Sequence, residues 1–154
     1  GGLGAATIEA GGALVTALAA VNPVGEVVAE DGAVLAGIRG QQGFLRSLDV
    51  VRERGIEARP WREATTLACV LTDARLSKTE AWLAARAASA GVAQAVSPSA
   101  TAFDGDLSFC LAGGTVAADA TVVCVASAEA TAAAVRDAVR QATGAPGCPA
   151  LREL

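Results

Sequence analysis

Apolar residues along this chain fall into short runs separated by turn-forming clusters, and the spacing within the runs distinguishes strands from helices. Ala13 to Val21 reads Ala-Leu-Val-Thr-Ala-Leu-Ala-Ala-Val and predicts a buried strand. Asn22-Pro23-Val24-Gly25 predicts a turn, Glu26 to Ala29 the hairpin partner of that strand, and Glu30-Asp31-Gly32 a second turn. Hydrophobicity then drops between residues 40 and 64, where Arg46, Arg52, Arg54, Arg59 and Arg62 mix with acids, glycines and Pro60, as in a linker or surface excursion. Leu45, Leu48 and Val51 recur there at helical spacing and predict a short helix around Phe44 to Arg54.

Thr66 to Leu71 predicts the next strand, ending at Thr72-Asp73-Ala74. Ser77-Lys78-Thr79-Glu80 has the capping-box pattern, so a helix should run from Lys78 to about Val92, with Ala81, Ala84, Ala85 and Ala88 suited to flat packing on a sheet. After Ser97-Pro98-Ser99 come an acidic turn at 103–106, a strand from Leu107 to Ala112 and another from Thr121 to Ala126. A second helix begins at Ser127, turns Ala132, Val135 and Val139 inward, and stops at Gly144 and Pro146. Interleaved strands and helices without a mononucleotide fingerprint give a mixed α/β (α+β) class, with helices on a largely antiparallel sheet.

Composition narrows the function. A chain of 154 residues that is 53% hydrophobic can bury a sizeable core within one structural domain, and its alanine, glycine and valine favour close approach over aromatic stacking. A net charge of −4, scattered basic residues and 3% aromatics argue against nucleic acid as a partner. Cys69, Cys110, Cys124 and Cys148 form no CxxC pair, and there is no histidine to complete a zinc site, so no metal is expected. The first three lie in apolar, strand-like runs and read as reduced, space-filling thiols, in keeping with a cytoplasmic location. No apolar stretch reaches the roughly 20 residues that span a bilayer, and the start lacks the basic segment of a signal peptide, so a soluble protein with no membrane partner is expected. A start at Gly1 without methionine reads as the middle of a longer gene product.

A catalyst with no histidine must activate its nucleophile without imidazole, and a threonine that becomes a new N-terminus is one way to do so. A cut between Ala64 and Thr65 would give Thr65 a free α-amine, whose pKa of about 7.7–8.0 suits it to act as general base for its own hydroxyl. Asp104 and Asp106 are two apart, so an extended segment projects both carboxylates to one side, where they could hold a hydroxyl and an ammonium. Asn22, between a strand and a proline, could donate its amide to a developing oxyanion. Each residue alone also has an ordinary explanation: a β-branched strand start, a solvated Asp-Gly turn, an Asn-Pro turn initiator. Gly1, Gly2 and Gly4 could cradle an anion, although they form neither a GxGxxG nor a Walker pattern.

In order, Gly1-Gly2-Leu3-Gly4, Val21-Asn22-Pro23-Val24-Gly25, Thr65-Thr66-Leu67 through Thr72-Asp73-Ala74, Leu76-Ser77-Lys78, Phe103-Asp104-Gly105-Asp106 and Ala142-Thr143-Gly144 form a set. That set resembles the P1 family of self-processing peptidases, the L-aminopeptidase/D-esterase group. The group includes β-peptidyl aminopeptidases, a pantetheine hydrolase and nylon-oligomer hydrolases. The resemblance implies a precursor that cuts itself before the nucleophile, leaving α and β subunits together in an αββα sandwich, an architecture related to that of the ornithine acetyltransferases. Residues 1–64 match the C-terminal part of α, with a linker at about 40–64, and residues 65–154 match β, so an N-terminal half is missing.

By the same resemblance Ala64-Thr65 is the autocleavage site, Thr65 the nucleophile, Asp104 and Asp106 the pair that orients it, and Asn22 the amide on the oxyanion. No cofactor is implied. The implied partners are a small peptide-like or amide substrate, the chain's own N-terminal (α) half, and further copies in a homo-oligomer of αβ units such as a tetramer. Family members with a threonine nucleophile often add a lysine from α; Lys78, the sole lysine here, sits in the capping box and is no match for it. Asparagine or glycine usually precedes the nucleophile, where this chain has Ala64, small enough to leave an N-to-O acyl shift open. The expected function is an autoprocessing N-terminal-nucleophile amidohydrolase or aminopeptidase working through an acyl-enzyme on Thr65. The alternatives are an acyltransferase of the ornithine acetyltransferase type and an unprocessed, non-catalytic family member.

Overall fold

The computed structural model of the chain describes residues 1–54 and 64–154, so the linker residues Arg59, Pro60 and Arg62 lie outside the described residues. Its main sheet has four strands in the order β1-β2-β7-β9: β1 (Gly2–Ala10), β2 (Ala13–Asn22), β7 (Thr65–Ala74) and β9 (Leu107–Val116). The first three are antiparallel neighbours and β9 joins β7 in parallel, which agrees with a largely antiparallel sheet. The short strands β3 (Glu26–Val28), β4 (Val34–Ala36) and β8 (Val96–Ser97) make a second sheet, and β5 (Ile38–Gly40) with β6 (Gly43–Leu45) a third.

Helix α2 (Lys78–Ala95) and helix α3 (Ala120–Gln141) pack on each other and on one face of the main sheet. The inward positions are small: Ala13, Val15, Ala17, Ala19 and Val21 of β2 meet Ala130, Ala134, Val135 and Ala138 of α3 in one buried cluster. Small side chains permit very close layers, and Gly4 shows how close, since a Cβ there would lie 2.2 Å from the Ala134 carbonyl oxygen. The Gly2 and Gly4 positions, within strand β1, therefore admit α3.

The opposite face of the sheet carries the large side chains. Leu14, Leu18, Leu67, Leu71 and Phe109 are all exposed there, so β2 is buried on one face only, a correction to the fully buried strand its continuous apolar run suggested. One helical layer on one sheet is half of an αββα sandwich.

Three further readings change. Residues 26–28 pair with β4 and β8 rather than forming a hairpin with β2, whose edges are already taken by β1 and β7. Residues 121–126 are helix, not strand, and Cys124 is therefore a helical residue. The Asp119 carboxylate caps this segment by accepting from the Thr121 and Val122 N–H groups, while the hydroxyl of Ser127, the expected first residue of the helix, donates back to the Val123 carbonyl inside it. Buried Val123, Ala126, Ala130 and Ala134 then lie on one helical stripe. Finally, the first helix, α1, spans Ser47–Arg54, and Phe44 belongs to β6; the Ser47 N–H donates to the buried Glu26 carboxylate at 2.8 Å, which fixes the helix start.

In the two long helices expectation and structure agree at the start of α2 and at the buried positions. The capping box of α2 is complete, with Ser77 and Glu80 bonded reciprocally. Ala84 and Ala88 are buried, as are Ala132, Val135 and Val139 of α3. All four cysteines are free. No helix among the described residues is long and apolar enough to cross a membrane.

Candidate active site

Antiparallel pairing brings the end of β2 beside the start of β7, and in that register Asn22 is the partner of Thr65. Residue separation in sequence is thereby cancelled by one row of sheet hydrogen bonds. The third contributor is the loop that leads into β9. Parallel pairing of β9 with β7 sets this loop against the same end of β7, and a bridge between Ala64 and Asp104 extends the contact one step before the strand. Asn22, Ala64, Thr65, Asp104 and Asp106 are thus collected at one end of the sheet, where β2, β7 and β9 sit side by side.

The Thr65 hydroxyl donates to the carbonyl oxygen of Ala64 at 2.8 Å. The same oxygen accepts the Gly105 N–H at 2.9 Å. Thr65 is half-buried, whereas Thr66 points into the helix side, fully buried, with its hydroxyl oxygen unpartnered among the described residues. Alternation along a strand has thus given the two threonines opposite environments.

Asp104 is heavily used. One carboxylate oxygen accepts the Val24 N–H at 3.2 Å, and the other accepts both the N–H and the hydroxyl of Thr101 at 2.8 Å. The side chain therefore ties the turn that follows Asn22 to the loop before β9. Asp106 instead accepts the Thr66 N–H at 2.7 Å. Burial pushes the Asp106 carboxyl above its ordinary value; the Thr66 N–H partly opposes this, and the nearby Asp104 charge adds to it.

Asp106 thus holds the backbone just after Thr65, Asp104 holds Val24 and Thr101, and the Thr65 hydroxyl rests on the Ala64 carbonyl. Thr101 enters the site without having been singled out beforehand, and Gly105, quoted only as part of the acidic motif, enters through its backbone N–H. Thr101 had a legible signal, since a threonine three residues before an aspartate is suited to a local side-chain-to-backbone turn. A concavity of about 280 Å³ opens beside Asn22, lined also by Pro23, Arg39, Phe44 and Cys148. Among the described residues, no group of histidine, cysteine or carboxylate side chains is arranged to hold a metal ion.

The sequence profile described as peptidase family S58 matches residues 1–150. Among solved structures, a Burkholderia sp. beta-aminopeptidase superposes with a TM-score of 0.62 at 22% identity, over 90% of this chain and 41% of its own. A protein from Pyrococcus horikoshii OT3 gives 0.57 at 20% identity, over 91% of this chain and 39% of its own. The L-aminopeptidase D-Ala-esterase/amidase of Ochrobactrum anthropi, described as a variant of the Ntn hydrolase fold, gives 0.57 at 16% identity, over 91% of this chain and 40% of its own. The chain thus spans about two fifths of the length of the solved structures it resembles. Among curated protein sequences nothing matches it.

Proposed function

The chain belongs to peptidase family S58, and on that footing we propose that it is the nucleophile-bearing part of a self-processing amidohydrolase that cleaves amides at the amino end of small peptide-like substrates. The observation that carries this reading is the 2.8 Å contact between the Thr65 hydroxyl and the carbonyl oxygen of Ala64, because it sets a nucleophile against the bond whose cleavage would free it. The names of the Burkholderia and Ochrobactrum proteins, an aminopeptidase and an aminopeptidase with esterase and amidase action, agree with such chemistry.

Self-processing starts when Thr65 Oγ1 adds to the Ala64 carbonyl carbon. The C–N bond breaks, the nitrogen gains the proton the hydroxyl lost, and water hydrolyses the resulting ester to an Ala64 carboxylate and a free Thr65. The new α-amine, with a pKa of about 7.7–8.0, takes the hydroxyl proton when a substrate carbonyl is attacked and passes it to the leaving amine. Asn22, the register partner of Thr65, donates to the oxyanion, and Asp104 with Asp106 keeps hydroxyl and amine in place. The αββα sandwich is completed by the chain's own α half, whose sheet covers the leucines exposed on β2 and β7.

Mass spectrometry of the denatured protein tests the reading. Two fragments divided before Thr65 are expected, one unbroken chain for Thr65→Ala, and two fragments again for Thr65→Ser. An intact parent chain under all conditions, or amidase activity in Thr65→Ala, sinks the mechanism.

A further inference from the structure

The Ala64 carbonyl oxygen accepts two hydrogen bonds, one from the Thr65 hydroxyl and one from the Gly105 N–H. Only one of those donors can persist through the cut. As Thr65 Oγ1 attacks, it leaves the carbonyl oxygen and closes on the carbonyl carbon, and it gives up the proton that made the bond. The Gly105 N–H stays on the oxygen while that oxygen acquires negative charge. We infer that the Gly105 backbone N–H is the oxyanion donor for cleavage between Ala64 and Thr65, an inference that rests on the self-processing reading above.

Three features fit this role. The Asp104–Gly105 peptide is held from both sides before reaction, by Asp104 on Val24 and Thr101 and by Asp106 on Thr66, so the N–H needs no reorganisation as charge develops. Glycine leaves room for the nucleophile, since a Cβ at 105 would lie 2.8 Å from Thr65 Oγ1 and press that hydroxyl away from its place. A hydrogen bond to a charged acceptor is also stronger than one to a neutral carbonyl, so a donor aimed at the amide oxygen favours the tetrahedral state over the starting amide. In that state the new Oγ1–C bond is formed and the carbonyl π pair resides on oxygen; its return expels the Thr65 nitrogen, protonated by the hydrogen that Oγ1 lost.

The test exchanges this one N–H for an ester oxygen, by translating the full chain with glycolic acid at position 105, and follows cleavage before Thr65 by mass spectrometry. With circular dichroism unchanged, the ester chain should cut roughly 100-fold more slowly than the glycine chain, the scale of losing one oxyanion donor. Equal rates overturn the inference and leave self-processing standing, whereas a glycine chain that never cuts removes both. If the ester chain does not fold, the uncleavable Thr65→Ala chain, which keeps every backbone amide, decides. Scalar coupling across a hydrogen bond between the Gly105 nitrogen and the Ala64 carbonyl carbon is expected there by NMR, and its absence overturns the inference.

Discussion

Thr66 donates its backbone N–H to Asp106 at 2.7 Å, so this aspartate is anchored by the residue after the candidate nucleophile and leans on the strand rather than on the hydroxyl. The carboxyl pays for its position in burial, and its pKa lies above the ordinary 3.8. For an acid raised in the folded state, the unfolded chain ionises first, so stability is fully present below the unfolded pKa and falls as pH rises through the folded one. Asp106→Asn keeps an acceptor for the Thr66 N–H and removes the charge. Its thermal midpoint should match that of the parent near pH 3 and exceed it at pH 7, while cleavage before Thr65 slows. A parent that gains stability over Asp106→Asn as pH rises contradicts the assignment.

The two adjacent threonines separate cleanly by substitution. Thr66 is buried with an unpartnered hydroxyl, so Thr66→Val exchanges an unsatisfied polar atom for a methyl group of like shape and should leave stability unchanged or raise it by about 1 kcal/mol. Fragment masses should be those of the parent. Thr65→Val should yield a single unbroken chain, and the reverse pattern would move the nucleophile to Thr66.

Asp104 ties the turn after Asn22 to the loop before β9 through its two carboxylate oxygens. Asp104→Ala leaves the Val24 and Thr101 donors without their acceptor and should cost about 2 kcal/mol in denaturant unfolding, the range of hydrogen bonds to a charged group. Loss of cleavage in this variant without loss of stability would show that Asp104 acts on the chemistry and not on the placement of Asn22.

Gly4→Ala probes the closeness of the layers. Its Cβ would sit 2.2 Å from the Ala134 carbonyl oxygen and 2.3 Å from the Ala138 nitrogen, both backbone atoms that cannot rotate away. A loss of about 1–3 kcal/mol in denaturant unfolding is expected, the usual cost of overpacking. The same change at Gly12, where nothing lies within 4 Å, costs through its positive φ of 81° instead.

Local signals in the sequence were enough wherever one segment carries its own cause. The Ser77-Glu80 capping box set the start of α2, the apolar run around Val70 marked β7, and the Asn-Pro and Asp-Gly clusters marked turns that exist. The residues gathered at the site were nameable for the same reason: each belongs to a short motif whose chemistry is written in its side chains. Where two explanations used the same local pattern, sequence could not choose. Thr121 to Ala126 has the β-branched look of a strand, and only the Asp119 cap and the helical stripe that α3 offers to β1 and β2 make it helix. The apolar run of β2 likewise did not say that only one of its faces packs within this chain.

By itself the sequence determined the chemistry available to this protein: no imidazole, two threonines side by side, two aspartates around a glycine, and cores built from residues small enough to pack closely. Tertiary structure decided which of those groups meet. The register of β2 on β7 put Asn22 opposite Thr65, and the parallel β9 brought Gly105 onto the Ala64 carbonyl. These two pairings join residues 40 or more apart in sequence, chosen by the packing of whole faces rather than by any residue's own preference, and so no local pattern could announce them.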